Sequence, residues 1–296
     1  MAGPVIFDRQ LLRVRQRRAA VLSAETFLID HVAVELGERL AAVLRRFAIA
    51  VDLGTPTDAL CRVLAASGKV GTIIAAHAHP TGGIGACVVA DEEALPFADG
   101  ALDLVVSGLA LQFVNDLPGT LIQIRRALKP DGLLLAALIG GDSLIELRAS
   151  FAQAESEIEG GVSPRVAPFA DVRELGALLQ RAGFALPVVD SEPLTVRYDS
   201  ALALMRDLRR MGATNVLTER RRTPLRRATL SRMAEIYAER FADPDGRLRA
   251  TFEVVWLSGW APHGSQQKPL KPGSAAQRLA DALGTSEHSA GEKARR

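Results

Sequence analysis

Apolar runs and helix-like segments alternate along the middle of the chain. From about residue 47 to residue 198, short runs of aliphatic and β-branched residues are followed by segments whose apolar positions recur at helical spacing. This alternation is typical of a parallel sheet whose strands are joined by crossover helices. We therefore predict seven strands, at residues 48–53, 70–76, 86–90, 102–107, 133–139, 188–198 and 251–258.

The same pattern predicts the helices between these strands. Helices are expected at 57–66, 115–128 and 172–182, and Gly183 ends the last of them. The sequence Pro130-Asp131-Gly132 is expected to form a turn that breaks the chain before the next strand. Two further segments are extra to a minimal sheet domain: 142–169, which is helical over 143–158, and the arginine-rich helical segment 200–241. Both are candidate lids.

These patterns divide the chain into three parts. Residues 1–46 are expected to form a helical N-terminal segment, and residues 47–263 a domain that carries a cap insertion at about 199–246. Residues 264–296 are rich in Gly, Pro, Ser, Lys and Gln, and show helical periodicity only at 275–283. That composition predicts a mostly disordered tail.

Composition and charge restrict the classes of function. A chain of 296 residues with 48% hydrophobic content can bury a sizeable core, and its net charge of +2 is too balanced to favour nucleic acid as a partner. Cys61 and Cys87 lack metal-ligand spacing and fit a reducing compartment. Neither a membrane-spanning run nor a signal peptide is recognisable. A cytoplasmic location is therefore expected, with peripheral contact at the inner membrane as a further possibility.

The first predicted strand ends in an unusual turn. The apolar run leading to Asp52-Leu53-Gly54 has the form of a buried strand that feeds a nucleotide-cradling turn, where glycine lets the backbone approach a ligand closely. A second glycine is expected two residues later. Pro56 stands there instead, and it has no backbone N–H to donate.

Four motifs in order resemble those of the class I S-adenosylmethionine (SAM) dependent methyltransferases. They are Val51-Asp52-Leu53-Gly54, then Asp91 to Phe97 (DEEALPF), Leu102 to Ser107 (LDLVVS) and Arg126 to Gly132 (RALKPDG). The resemblance is to the small-molecule branch that includes the biotin-pathway carrier-protein methyltransferase. It implies a Rossmann-like α/β sheet of seven strands with helices on both faces and a helical cap, and SAM as cofactor.

The resemblance also implies positions for the cofactor-binding residues. Asp52 and Gly54 fall in the first-strand motif, and Asp91 would accept a hydrogen bond from the adenine amino group. The alternative for Asp91 is a cap on the turn that follows it. The full expected set is Asp52, Gly54, Thr55, His77, Asp91, Glu92, Ser107 and Leu109. No catalytic residue can be identified, although residues 107–112 and the cap are where one is expected.

Motifs near both ends of the chain resemble a narrower family, the bacterial counterparts of the mitochondrial complex I assembly-factor methyltransferase. They are Phe7-Asp8-Arg9, LQFVNDLPG at 111–119, LIELR at 144–148, GWAPH at 259–263 and SQQKP at 265–269. The mitochondrial member is described as hydroxylating an arginine of a complex I subunit. The resemblance implies a SAM-dependent methyltransferase-like protein that acts on a protein during respiratory complex I assembly.

Departures from the family pattern keep two alternatives open. Pro56 removes a loop donor, and Ala76-His77 stand where the family has an acid that holds the ribose hydroxyls. The alternatives are a non-enzymatic assembly chaperone with a degenerate methyltransferase fold, and a protein arginine hydroxylase. His77 and His79 lack the further ligands that a metal site requires, so no metal is expected.

The arginine-rich run from Arg206 to Arg227 is the main basic feature of the sequence. It is either a solvated helix surface or a contact surface for an acidic protein or anionic lipid.

Overall fold

The computed structural model describes residues 4–78, 84–267 and 279–286. The chain divides into two units, Met1–Pro262 and His263–Arg296.

In the described part of the first unit, seven strands form one mixed sheet. Strands β1 to β4 are Phe47–Leu53, Val70–His77, Ala86–Val89 and Leu102–Gly108, and β5 to β7 are Leu128–Ile139, Ala185–Tyr198 and Leu248–Trp260. Their order across the sheet is β3-β2-β1-β4-β5-β7-β6. The pairs among β1 to β5 are parallel, whereas β7 runs antiparallel to both β5 and β6. The predicted seven-stranded α/β sheet is confirmed.

Eight helices are described in this unit, and four of them begin after a residue whose side chain caps them. The eight helices are α1 (Arg9–Val21), α2 (Phe27–Ala42), α3 (Ala59–Ala66), α4 (Leu117–Ala127), α5 (Ile145–Glu159), α6 (Val172–Arg181), α7 (Ala201–Arg210) and α8 (Arg227–Phe241). The side chains of Asp8, Asp116, Asp171 and Ser200 accept a backbone N–H from the first turns of α1, α4, α6 and α7.

Helices cover both faces of the sheet. Alternate strand residues point to opposite faces, so Ala50 and Leu104 pack towards α2, α3, α5, α7 and α8, while Val51 and Val105 pack towards α4 and α6. The central strands are buried on both sides, as the near-continuous apolar runs predict. A smaller cluster of Phe7, Leu12, Phe113, Val216 and Leu217 holds α1 against the segment between α7 and α8.

One local prediction was wrong. Pro130-Asp131-Gly132 does not break the chain, because β5 begins at Leu128 and the β4–β5 register shifts between Leu102 and Leu104. Asp131 has φ of 65° there, which gives the strand an irregularity instead of a turn. The predicted helical segment at 200–241 consists of two helices: α7 ends at Arg210, and α8 begins at Arg227. Gly212, with φ of 73°, lies just after the end of α7.

The second unit contains α9 (Leu279–Leu283) and a turn in which the His263 ring lies 2.7 Å from Ser265 Oγ. The prediction of a mostly disordered tail falls largely outside the described residues. None of the helices described combines the length and the apolar character needed to cross a bilayer.

Candidate functional site

The predicted site residues lie at the carboxyl ends of parallel strands. Gly54 follows β1, His77 ends β2, and Ser107 is the second-last residue of β4. Strand β1 lies between β2 and β4, and the order of the strands along the chain reverses direction at this position in the sheet. It is therefore a topological switch point. Crevices at such points are the usual ligand sites of open α/β sheets.

Asp52, Thr55 and Ser107 make hydrogen bonds inside the protein beneath this crevice. Thr55 Oγ1 donates to Asp52 Oδ1 and accepts from Gly108 N at 3.0 Å, and Ser107 Oγ donates to the Leu53 carbonyl at 2.7 Å. All three side chains are buried. They tie the end of β1 to the end of β4 and so shape the turn between the strand and α3.

Asp52 is an unusual carboxyl group because no cation pairs with it among the residues that the structure describes. Burial raises its pKa to about 7, against the opposing hydrogen bonds from Thr55 and from Cys61 Sγ, 3.4 Å from Asp52 Oδ2. Burial also raises the pKa of the Cys61 thiol.

Gly54 packs directly against the acidic motif that follows β3. Its φ is +74°, and its N–H donates to the Ala76 carbonyl at 2.8 Å. A Cβ at this position would lie 2.6 Å from Glu92 Oε1 and 2.9 Å from Ala110 Cβ, so a side chain larger than hydrogen has no room. The Glu92 side chain therefore occupies the space over the glycine.

Asp91 and Glu92 are ion-paired with α1. Arg9 Nη2 lies 2.7 Å from Asp91 Oδ1 and also binds Glu92, and Arg13 binds the second oxygen of Asp91. Burial works against ionisation of Asp91, but the Glu93 N–H and the two guanidinium groups outweigh it and hold its pKa below the usual range. Asp91 thus faces two arginines as well as capping the following turn through Glu93 N.

His77 is buried at the end of β2. Burial lowers its pKa, partly opposed by the nearby Glu92 carboxylate, and favours the neutral ring. His79 lies outside the described residues. Within the described ranges, no group of three or more His, Cys, Asp or Glu side chains is arranged to hold a metal ion.

A cavity of about 130 Å³ opens beside this cluster. We call it the main cavity because it lies at the strand ends, although a second cavity, of about 250 Å³, is larger. Apolar residues from α1, α2 and the strand ends form most of its wall, among them Leu28, Ile29, Pro56, Leu109 and Phe252. Leu109 has φ of 54°, a strained conformation for a branched residue.

Gln112 supplies a polar group to the main cavity wall. Its Nε2 donates to the Leu109 carbonyl at 2.8 Å. Its Oε1 is buried and has no hydrogen-bond partner in the described part of the chain. A buried acceptor without a donor is costly, so this oxygen favours a bound group that carries an N–H or O–H.

The predicted site residues therefore separate into three groups. Gly54, His77, Asp91 and Glu92 line the closed acidic side, Asp52, Thr55 and Ser107 lie beneath it, and Leu109 faces the main cavity. Arg9 and Arg13 were not predicted as site residues. The sequence shows that the N-terminal segment is rich in arginine, but it does not show which carboxylates these arginines contact. Gln112 was missed as an individual residue, although the motif around it was recognised.

The side chains of the closed acidic side can make the hydrogen bonds that the adenosine half of SAM requires. Their observed arrangement does not leave enough space for it. Asp91 has the acceptor oxygens that an adenine amino group requires. The space bounded by Arg9, Arg13, Glu92 and Ala110 is only about 10 Å³, which is room for about one water molecule. A nucleoside would fit here only after Arg9, Arg13 and the Glu92 side chain move.

Comparisons with known proteins agree with this architecture. A family profile described as "Methyltransferase domain" matches residues 38–136. "Arginine-hydroxylase NDUFAF5, mitochondrial" of Danio rerio is 39% identical over 290 residues, which cover 94% of this chain and 90% of that protein. "Malonyl-[acyl-carrier protein] O-methyltransferase" of Xylella fastidiosa (strain M23) is 41% identical over 177 residues, 60% of this chain and 58% of that protein.

Among solved structures, a candidate methyltransferase from Bacillus halodurans superposes with a TM-score of 0.54 at 15% identity. The match covers 78% of this chain and 99% of that one, and it supports the fold alone.

Proposed function

The chain belongs to the NDUFAF5 family, and from that premise we propose that it is a SAM-dependent methyltransferase-like protein acting on a protein during respiratory complex I assembly. The end motifs support the complex I role, and the name of the Xylella fastidiosa relative supports methyl transfer, whereas the name of the Danio rerio relative supports arginine hydroxylation.

The main cavity is the observation that carries this proposal. It lies at the switch point of a methyltransferase-type sheet, next to the Gly54 turn, and its buried Gln112 Oε1 lacks a donor. A guanidinium or amide N–H of a substrate protein would satisfy that oxygen. The apolar wall would exclude water from the same space.

SAM, when bound, supplies a methyl group already activated on a sulfonium, so the protein contributes mainly alignment. Asp91 would bind the adenine side once α1 withdraws, and Gln112 would orient the acceptor group. Glu25, also on the cavity wall, is paired with Arg210 at 3.3 Å. We assign no general base.

In this proposal α1 is the gate of the cofactor site. Arg9 and Arg13 neutralise the carboxylates that a nucleoside would meet, and Leu12 on the same helix packs in the cluster around Phe113. Cofactor binding must therefore compete with these ion pairs. Their removal is expected to open the site.

Isothermal titration calorimetry with SAM and S-adenosylhomocysteine tests this point. The R9M/R13M double variant should bind about tenfold more tightly than the unmodified protein, since losing partly buried ion pairs of about 1 kcal/mol lowers the cost of opening. R17M is the matched control, because Arg17 is exposed on the same helix, and it should bind like the unmodified protein. D91A should lose binding. If no variant binds at millimolar ligand, the cofactor proposal is wrong.

Mass spectrometry of complex I subunits, from cells with and without the protein, tests the reaction. A methyl group on one arginine or amide that is present in cells with the protein and missing in cells without it would support methyl transfer. Loss of a single oxygen from an arginine would instead support arginine hydroxylation, the activity in the name of the relatives. Assembly that requires the protein but survives D91A, with no mass change, would favour the chaperone alternative.

For location, we propose a cytoplasmic protein that makes peripheral contact with the inner membrane or with an acidic protein surface. The support is a set of exposed cap arginines without ion pairs in the described chain: Arg206, Arg209, Arg222, Arg226 and Arg227.

A further inference from the structure

A second cavity, of about 250 Å³, lies between the sheet domain and the cap. Its wall comes from α1, α5, α7 and the segments at 165–169 and 213–216, and is mainly apolar, with Leu147, Phe151, Met205 and Leu225 among its residues. Phe113 and Phe169, with ring centroids 6.5 Å apart, line both this cavity and the main cavity. The second cavity is therefore adjacent to the main cavity, with this aromatic pair between them.

Two arginines interrupt the apolar wall, and they differ in charge compensation. Arg165 is paired with the Glu155 carboxylate, with Nε 2.8 Å from Oε1, and its guanidinium carbon lies 5.2 Å from the centre of the Phe151 ring. The positive charge of Arg165 is thus balanced within the protein.

Arg15 has no such partner. Its Nη1 donates to the Asn215 carbonyl, and no carboxylate forms an ion pair with it in the described ranges. Burial lowers the pKa of Arg15, and the neighbouring Arg220 adds to the effect. The Asp8 carboxylate forms its ion pair with Arg220, at 3.1 Å, and only partly opposes the lowering of the Arg15 pKa. A partly buried cation beside an apolar wall favours a ligand with a negative charge and an apolar body.

We infer that the second cavity binds an amphiphilic monocarboxylate, with the carboxylate on Arg15 and the hydrocarbon chain along Phe151, Leu147 and Met205. Guanidinium groups form paired hydrogen bonds with carboxylates, and the apolar wall stabilises the chain by removing it from water. This site is distinct from the nucleoside side at Asp91 and does not depend on the proposed reaction.

The test uses three ligands that share one chain length: decanoate, decanol and decylamine. Calorimetry on the full-length protein should show decanoate binding most tightly, decanol about tenfold to a hundredfold more weakly, and decylamine weakest, since charged hydrogen bonds give that range. Equal binding of decanoate and decylamine, or no binding of decanoate, would overturn the inference.

Variants then locate the site. R15M should weaken decanoate binding by the same tenfold to hundredfold while leaving decanol binding unchanged, which also shows that the cavity remains folded. R17M, on an exposed position of the same helix, should change neither ligand. L225W should fill the cavity and remove both. Decanoate binding that survives R15M would place the ligand elsewhere and contradict the inference.

Discussion

Asp52 is the most strongly perturbed carboxyl group at the candidate site. It is fully buried at the end of β1, its neighbours Thr55 and Cys61 are neutral, and its pKa is raised to about 7. The folded protein therefore holds a proton there that the unfolded chain, with the ordinary value of 3.8, releases. Below about pH 7, Asp52 therefore serves the turn as a neutral hydrogen-bonding group.

The sign of the resulting pH dependence follows from linkage. Because the folded state binds the proton more tightly, the contribution of Asp52 to stability is complete below the unfolded pKa and is lost as pH rises towards about 7. Each pH unit in that window lowers the free energy of unfolding by up to about 1.4 kcal/mol.

We expect D52N to remove this dependence. Between about pH 5 and about pH 8, the unmodified protein should lose about 2 to 3 kcal/mol of unfolding free energy relative to D52N in urea titrations. Comparing the two proteins cancels groups that titrate in both, His77 included. Parallel pH profiles would show that Asp52 is ionised in the folded state.

At the scale of elements, strands were easier to predict than their junctions. The central strands were placed within a few residues because burial on both faces leaves unbroken apolar runs. The turn at Pro130-Asp131-Gly132 was predicted wrongly, since a local breaker pattern cannot reveal that pairing with β4 extends the strand through it. The acidic motif after β3 was visible in sequence. Its pairing with Arg9 was not, because the contact joins residues 82 positions apart.

Helix α5 shows how position on one helix changes the role of a carboxylate. The Glu155 side chain is fully buried and is held by Arg165 and by Ser163, whose N–H and hydroxyl both donate to it. Burial opposes ionisation, but these bonds hold the pKa of Glu155 below its usual range. Glu157, half a turn away, is exposed and pairs with Arg232 at 2.7 Å. Both carboxylates are ion-paired, but only the first is cut off from water.

We expect R165M to lower the free energy of unfolding by about 3 to 5 kcal/mol, because it leaves a buried carboxylate without its cation. R232M is the control, since it removes the α8 cation paired with Glu157, an exposed carboxylate of α5, and should therefore lower the denaturation midpoint much less than R165M. Chemical denaturation followed by circular dichroism measures both. Equal denaturation midpoints for R165M and the unmodified protein would mean that Ser163 and solvent are sufficient to stabilise the Glu155 carboxylate without Arg165.

For the whole molecule, the main question is where the positive charge is available to a partner. The arginine run looked uniform in sequence, but the fold divides it. Arg210, Arg220 and Arg221 are ion-paired with Glu25, Asp8 and Glu159. These pairs join the cap to the residues just before α2 and α1 and to the end of α5. Helical periodicity could not show this division, because the acidic partners lie far away in the sequence. The arginines left exposed are those at 206, 209, 222, 226 and 227.

This division determines how the surface should respond to mutation. Reversal of Arg206 and Arg209 to Glu changes exposed charge by four units without breaking an ion pair in the described chain, so thermal stability should be almost unaffected. Binding to vesicles that contain phosphatidylserine should fall by about tenfold or more, at about 1 kcal/mol for each basic residue near an anionic surface.

The R173E/R181E pair on α6 controls for net charge, because both residues are also exposed. A co-sedimentation series over increasing salt measures all three proteins, and only the unmodified protein and the α6 variant should show a steep salt dependence. If the cap and α6 variants lose binding equally, net charge alone attracts the membrane, and the cap is not a specific contact surface.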